Sequence, residues 1–289
     1  MAAPATQDYA AIVAVRNPGN AFETTAVFDL TVQERIRSPY DQFLANTIEL
    51  NKLWATLALG VEISPDLGNI LLLGYVSAVE GYMRALIRGL VNIDQFSKNL
   101  CETYQVTYGA VLHHHRNALS DALLEETVFS SGASIGTALK KFVGLDSLSS
   151  ATKTLTEKYD GICQLRHCCV HRFGKLGAKN ATNLGLSEHS KFIEKKVTIR
   201  RGDITAIADL LFALVKSVNN EVFGFVLKRS ATSKLGNEVG IGWKWNVRSD
   251  RKLFAGYYEI FASLEDATPS PPAHEVYEKF RATHRRVRR

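Results

Sequence analysis

The sequence has little that would hold the chain in a membrane or cross-link it. Its longest apolar stretch, residues 70–91, is interrupted by Glu80, Arg84 and Arg88, which argues against a membrane span. The first residues lack the basic and apolar regions of a secretory signal. Of only four cysteines, three lie within residues 163–169, and thiols crowded in this way cannot easily join distant segments. We therefore expect a cytoplasmic protein with reduced thiols and no membrane association.

Strand signals are also scarce, whereas helical periodicity extends through most of the chain. Apolar residues at helical spacing predict helices that begin at Ser38-Pro39 and at Asp66, where Asp66 would be the cap. The second helix carries one apolar stripe, made of Leu72, Val76, Val79, Met83, Leu86 and Leu90. Further helices are predicted over residues 96–127, 134–144, 149–174, 203–228 (capped by Asp203) and 274–284. No strand–helix alternation accompanies them, so we predict an all-α fold.

Composition divides the chain into three parts. Residues 1–40 form an N-terminal extension, in which two apolar runs around Asn17-Pro18-Gly19 are typical of a small hairpin. Residues 41–230 form a helical domain, in which the Gly-, Asn- and Ser-rich residues 175–190 predict a loop. Residues 231–289 form a C-terminal extension with a basic tail. Trp243 and Trp245 are interpreted as anchors of this extension on the domain rather than as base-stacking residues.

The net charge is +6 and the isoelectric point is near 9.1. Much of the positive charge lies in the C-terminal tail and at Lys195, Lys196, Arg200 and Arg201. A basic surface attracts phosphate polyanions, although a run of arginines at a chain end is also common in solvated tails. The bias favours a nucleic-acid partner without requiring one.

The predicted helix over residues 149–174 carries the most informative side chains. Counting at 100° per residue places Arg166 near the middle of an apolar stripe. That stripe consists of Tyr159, Ile162, Cys163, Cys169, Val170 and Phe173. His167 and His171, one turn apart, follow the margin of the stripe. A permanently charged guanidinium on such a face needs a carboxylate, a subunit interface or a phosphate to compensate it.

The run from Arg166 to His171, Arg-His-Cys-Cys-Val-His, resembles the R-x(4–6)-H motif of HEPN ribonucleases, which prefer a polar residue after the arginine. The order of the neighbouring segments extends the resemblance. A long helix with an acidic residue at its middle, Glu80, is followed by a helix over 135–142, the motif helix and residues 197–203 leading into a last helix. This order is similar to bacterial RiboL-PSP-HEPN or MAE-like proteins over residues 65–230. The resemblance implies a HEPN-type helical bundle with short N-terminal and C-terminal extensions.

The resemblance also implies an activity, that of a metal-independent endoribonuclease without a cofactor. Such enzymes are homodimers in which two motif helices build one composite site. His171 would be the general base or acid when the ribose 2′-hydroxyl attacks its phosphate, and Arg166 would hold that phosphate. His167 would orient these groups or contact the RNA substrate. Glu80 would support Arg166, although Arg84 lies one turn from Glu80 and competes for it. HEPN proteins of this kind are often toxins or antiviral effectors, which are controlled by an antitoxin or sensor protein.

Three alternatives remain open from the sequence. The chain could be a non-catalytic HEPN module that binds RNA or a partner protein. It could also be a helical scaffold in which Arg166 forms a structural ion pair. Finally, Cys163, His167 and His171 follow the spacing of one helical face that can hold zinc. No CxxC pair completes a zinc site, and three consecutive histidines at 113–115 point in different directions on a helix, so we expect no metal.

Overall fold

A computed structural model describes residues 12–14, 18–31, 35–57, 61–113 and 119–285. The chain divides into two units, residues 1–36 and 37–289. Helices contain 68% of the residues and strands 2%, which confirms the all-α class. In the first unit, Thr24–Val27 is a 3-10 turn, so the second strand of the predicted hairpin is wrong. Its side chains are exposed, and a lone two-stranded hairpin without a packed face is marginal. Half of the predicted first strand, residues 10, 11 and 15, lies outside the described residues, and residues 12–14 form no strand.

The core of the second unit is built around helix α2 (Pro65–Ile93), which packs against α1 (Pro39–Ala55). All six residues of the predicted stripe are buried, as the helical spacing required. Each helix begins with a serine whose hydroxyl accepts a backbone N–H, Ser38 for α1 and Ser64 for α2. The predicted cap at Asp66 is therefore wrong. Ser64 takes that role, and Pro65 follows it in the first turn, where its missing N–H costs nothing.

Residues 96–127 are predicted as one helix, but their described parts, 96–113 and 119–127, contain three short ones. These are α3 (Gln95–Cys101), α4 (Tyr108–His113) and α5 (Leu119–Ala122). The side chain of Thr107 accepts the N–H of Ala110, and this local bond starts a new helix instead of continuing the old one. Helix α6 (Gly132–Ala138) then continues into a π-helical turn, Leu139–Val143, within the segment where a helix was predicted.

Helices α7 (Ser150–Arg172) and α9 (Arg201–Thr232) pack against α2 and against each other. Between them, the predicted loop is wrong: Ala178–His189 is a helix, α8, kinked at Gly185, followed by a 3-10 turn, Ser190–Phe192. The cap predicted for α9 also shifts. Asp203 lies in the third helical position and accepts the N–H of Arg200, so that the helix begins at Arg201.

The C-terminal segment packs on the helical core and belongs to the same compact unit, residues 37–289. It comprises the hairpin β1 (Lys234–Leu235) and β2 (Glu238–Val239), then α10 (Val247–Phe261) and α11 (Ala273–His284). α10 contacts α1, α2 and α9. Trp243 is buried in the core and its indole N–H donates to the Ser230 hydroxyl of α9 at 3.1 Å, and the half-buried Trp245 packs against the same core, which confirms both tryptophans as packing anchors.

A buried ion pair ties this segment to the core. Asp94, wholly buried between α2 and α3, accepts bonds from Arg229, from the Tyr257 hydroxyl at 2.8 Å and from the Ser97 N–H at 2.8 Å. Arg229 also donates to the carbonyl of Val143. Because the carboxylate is saturated with donors, its burial is compensated. The cluster joins α2, α3, the π turn, α9 and α10.

By length and composition, α2 and α9 could each cross a membrane. The most apolar 18-residue window is 56% buried inside the protein in α2 and 44% buried in α9. Core helices of soluble proteins meet the same criterion. The cytoplasmic location and the absence of membrane association therefore stay predictions.

Candidate active site

Helix α7 carries the predicted site on its C-terminal half. Tyr159 and Cys163, in its middle, are buried against the core. In the last two turns, Arg166 and His167 are half-buried and His171 is exposed. The predicted apolar stripe is wrong at its end, because Val170 is 46% and Phe173 is 77% exposed. There the buried side chain is Cys168, which packs on Leu176 and Ala181 after α7 and in α8.

The guanidinium of Arg166 forms no ion pair and no hydrogen bond with any of the residues described here. Its electrostatic effect on Cys163 shows that the guanidinium lies near that thiol. Burial raises the pKa of the Cys163 thiol to about 12, and the positive charge of Arg166 opposes that rise. Of the three ways to compensate Arg166, a carboxylate in the described part of this chain is not used. A subunit interface and a phosphate are left.

Glu80 lies across from this part of α7, on α2. Its Oε1 atom is buried and has no hydrogen-bond partner. The negative charge of Glu80 contributes to raising the pKa of Cys163, as the charge of Arg166 contributes to lowering it, so both groups lie near this thiol. The competing Arg84 donates instead to the carbonyls of Leu124 and Thr127, the latter at 2.6 Å. Glu80 therefore lies near α7 with one buried oxygen that has no donor, and no hydrogen bond or ion pair joins it to Arg166.

The two histidines of α7 are neighbours, with ring centroids 5.8 Å apart. The pKa of His167 lies below its ordinary value of 6.5, because partial burial and then the charges of Arg166, His171 and Lys179 disfavour its protonated form. His167 is thus biased towards neutral imidazole at pH 7, the form that can accept a proton. His171 lies one turn further along, in the open last turn of the helix.

The end of α7 is held in place by its backbone. Phe173 (φ 50°) and Gly174 (φ 86°) both adopt left-handed conformations, and both N–H groups donate to the carbonyl of Cys168. The reversed chain then pairs with the segment before α9, through Leu176 N–H to Lys195 O at 3.0 Å and Val197 N–H to Gly174 O at 2.8 Å. A left-handed conformation costs a bulky L-residue about 1–2 kcal/mol. Phe173 adopts this unfavourable conformation although its ring is exposed and does not pack in the core.

The sequence analysis missed the contribution of α8. Gln164 of α7 accepts hydrogen bonds from Asn180 at 3.0 Å and from Asn183 at 3.2 Å, which fix α8 beside the site. Lys179 of α8 contributes to the lowered pKa of His167. The spacing of Ala178, Ala181 and Leu184 was a helical signal, but the Asn, Gly and Ser residues between them favoured a loop.

Positive charge is concentrated around this site. Residues 166–201 contain nine Lys or Arg and two Glu, a net charge of +7, whereas the whole chain has +6. Residues outside this segment therefore sum to −1. One of the two acids, Glu194, is paired with Arg172 at 2.5 Å. The net positive charge of the chain therefore comes from the end of α7, from α8 and from the segment leading into α9.

The zinc alternative gains no support from the geometry. In the described ranges no three His, Cys, Asp or Glu side chains are grouped so that they could hold a metal ion. Burial keeps the Cys163 thiol protonated at neutral pH, whereas zinc binds the thiolate. All four cysteines are free thiols, as predicted.

Comparisons of the chain with models of protein families and with curated proteins, and of its fold with solved structures, gave no match. The likeness to HEPN ribonucleases thus rests on the run from Arg166 to His171 and on the order of the surrounding helices.

Proposed function

We propose that the protein is a metal-independent endoribonuclease of the HEPN type. The observation that carries the proposal is the state of Arg166, which is half-buried and has no carboxylate partner among the described residues. It directly precedes His167, whose ring lies 5.8 Å from that of His171, in a segment with a net charge of +7. A guanidinium placed in this way is suited to bind a phosphate, because its planar fork matches two phosphate oxygens.

The reaction is a transesterification at phosphorus within the RNA backbone. A base removes the proton of the ribose 2′-hydroxyl, and the 2′-oxygen forms a bond to phosphorus. The bond from phosphorus to the 5′-oxygen of the next nucleotide breaks, and an acid protonates that oxygen. The products are a 2′,3′-cyclic phosphate and a 5′-hydroxyl, and no electrons are exchanged with another reactant. In this scheme Arg166 stabilises the negative charge that grows on the phosphate oxygens.

The histidines divide the proton transfers. His171, in the exposed last turn, reaches the substrate as base or acid. His167, whose lowered pKa favours neutral imidazole, orients the reacting groups and accepts a hydrogen bond from the RNA or from His171. Glu80 is a positioning residue, because its buried oxygen without a donor lies near the helix that carries Arg166.

A homodimer completes the site. Attack and departure occur on opposite sides of phosphorus, whereas His167 and His171 lie 5.8 Å apart on the same helix. A second copy of α7 supplies an imidazole from the other side. The exposed Val170 and the left-handed helix end at Phe173 leave this part of α7 open to a neighbour. An RNA-cutting dimer of this kind would act in the cell as a toxin or antiviral effector under an antitoxin or sensor protein.

The test is cleavage of total RNA by the purified full-length protein in the presence of EDTA. We expect Arg166→Ala and His171→Ala each to reduce cleavage about 10²- to 10⁴-fold. Arg248→Ala and His274→Ala, which make the same replacements at exposed positions of α10 and α11, should cut at the rate of the unmodified protein. Mass spectrometry of the products should find 2′,3′-cyclic phosphate ends.

Four results would contradict the proposal. Cleavage that persists in His171→Ala would refute the assigned base or acid, and cleavage that EDTA abolishes would refute metal independence. Tight RNA binding without any cleavage would favour the non-catalytic HEPN alternative. If Arg166→Ala unfolds or becomes monomeric, then Arg166 is a structural residue of a scaffold.

A further inference from the structure

Two exposed phenylalanine rings of the basic segment each lie beneath a lysine ammonium. The Nζ atom of Lys196 is 5.6 Å from the centre of the Phe173 ring, and that of Lys191 is 5.1 Å from the centre of the Phe192 ring. Phe173 is 77% exposed and Phe192 is 48% exposed. Neither ring packs on another aromatic side chain within the part of the chain that the structure describes.

The two rings belong to one continuous surface. Lys196, over Phe173, shares the lining of a cavity of about 440 Å³ with Lys195 and Phe192. Its floor is apolar and includes Leu165, the residue before Arg166. We call Phe173, Lys191, Phe192, Lys195 and Lys196 together the Phe–Lys surface. Glu194, the acidic residue in this run, is already neutralised by Arg172.

We propose that the Phe–Lys surface binds unpaired nucleotides of RNA, with bases stacked on Phe173 and Phe192 and phosphates neutralised by the lysines. That the strand is the substrate rests on the proposed function. Phe173 follows His171 by two residues, so a base stacked on Phe173 lies at the end of α7 that carries this histidine. The surface then determines which nucleotides enter the site, because only bases outside a duplex offer a free face.

The conformation of Phe173 supports this role. The backbone bonds of the α7 end hold the residue in its left-handed conformation, so its ring is presented at a fixed place without being buried. A flat ring with an ammonium over one face is attractive to a base, because the flexible lysine can turn from the ring to the neighbouring phosphate. The competing occupant of an exposed ring here is the second protein copy, and the experiment separates the two.

The experiment measures the affinity of the full-length protein for a fluorescent single strand with 2′-O-methyl riboses, which cannot be cut by the proposed chemistry. We expect Phe173→Ala and Phe192→Ala to weaken binding at least about fivefold each, and Phe173→Trp to retain it. Lys195→Gln and Lys196→Gln should weaken binding and make it less dependent on salt. Tyr108→Ala, at an exposed aromatic of α4, and Lys153→Gln, on the first turns of α7, should change neither quantity.

Several outcomes would overturn the inference. These are an affinity for duplex RNA equal to that for the single strand, unchanged binding by Phe173→Ala, or loss of the dimer in Phe173→Ala by light scattering. The last would assign the ring to a protein interface. The inference and the proposed function can fail separately. Binding as expected without cleavage of any RNA would refute only the function, whereas cleavage with unchanged affinity in Phe173→Ala would refute only the inference.

Discussion

Two carboxylates of α2 and its C-terminal boundary have opposite surroundings: Asp94 is wholly buried, whereas Glu80 is half-buried with one buried oxygen. Asp94 is saturated by Arg229, Tyr257 and a backbone N–H. Glu80, three to four turns earlier, has a buried oxygen without any donor, and Arg166 nearby has no carboxylate within the described chain. Burying an unpaired polar group is costly, so a fold retains one where another constraint requires it.

Carboxylates that accept several hydrogen bonds also join the C-terminal segment to the core and its helices to one another. Asp41 of α1 accepts bonds from the Ser263 hydroxyl and from the Leu264 N–H at 3.0 Å. Asp250 of α10 accepts bonds from the Lys244 N–H at 3.0 Å and the Tyr277 hydroxyl at 2.7 Å. These carboxylates stabilise the fold because their oxygens accept several hydrogen bonds each, although the Nε–H of Arg229 is buried without a partner. The contrast agrees with our proposal that Glu80 and Arg166 serve a ligand or a second subunit rather than stability.

The comparison predicts a large loss of stability when Asp94 is made neutral. Asp94→Asn keeps the size of the side chain but leaves Arg229 buried without a counter-charge. We expect the free energy of unfolding to fall by about 3–5 kcal/mol, as when one partner of a buried pair is removed. Urea denaturation followed by circular dichroism measures it. Asp209→Asn, at an exposed position of α9, is the matched control and should lie within about 0.5 kcal/mol of the unmodified protein.

If the free energy of unfolding of Asp94→Asn falls as little as that of the Asp209→Asn control, the Asp94 cluster contributes little to the stability of the fold. That result would also remove the basis for contrasting the cluster with Glu80.

The same chemical change at Glu80 should have a smaller effect on stability. Glu80→Gln removes the negative charge of a half-buried side chain that has no donor on its buried Oε1 atom, so we expect the free energy of unfolding to stay within about 1 kcal/mol of its original value. If Glu80 positions Arg166, the variant lowers kcat for RNA cleavage and leaves KM nearly unchanged. Urea denaturation and cleavage kinetics are measured on the same preparation. A destabilisation equal to that of Asp94→Asn would mean that Glu80 and Arg166 form an ion pair in solution.

How much the sequence predicts depends on the length and regularity of each helix. α2 was predicted in type and stripe, because six apolar residues at helical spacing leave one face for the core. α8 was missed, because its twelve residues contain few apolar side chains and a left-handed glycine. Packing against α7, which local propensity does not encode, makes it helical.

In the site, too, the sequence predicts what helical periodicity determines and misses what depends on packing. Helical counting found His167 and His171 as neighbours, because one turn of helix relates them, whereas Arg166 precedes His167 and is about 140° from His171 on an ideal helix. It placed Val170 and Phe173 on the buried face, because counting cannot tell where α7 passes beyond the core. The partners of Asp94 and the lack of a partner for Glu80 depend on contacts between distant segments, such as the 135 residues that separate Asp94 from Arg229. No periodicity in the sequence connects those segments.

The smallest expected effect concerns the charge around His167. Partial burial, Arg166, His171 and Lys179 all lower the pKa of this imidazole. Lys179→Gln removes one of these positive charges, so the protonated form is disfavoured less and the pKa of His167 rises towards 6.5. At a pH just below 6.5, more of the histidine is then protonated. An NMR titration of the ring C–H signals measures the shift, and Lys153→Gln, on the first turns of the same helix, is the control.

The direction of this shift connects the electrostatics to the proposed chemistry. If cleavage needs neutral His167, the acidic limb of the pH–rate profile moves to higher pH in Lys179→Gln and stays in place in the control. High salt should act in the same direction on the unmodified protein, since it screens the exposed Lys179. A rise in the pKa without any movement of the rate profile would leave His167 outside the proton transfers and assign them to His171 alone. A pKa that stays unchanged would place the cause of its lowering in burial and Arg166.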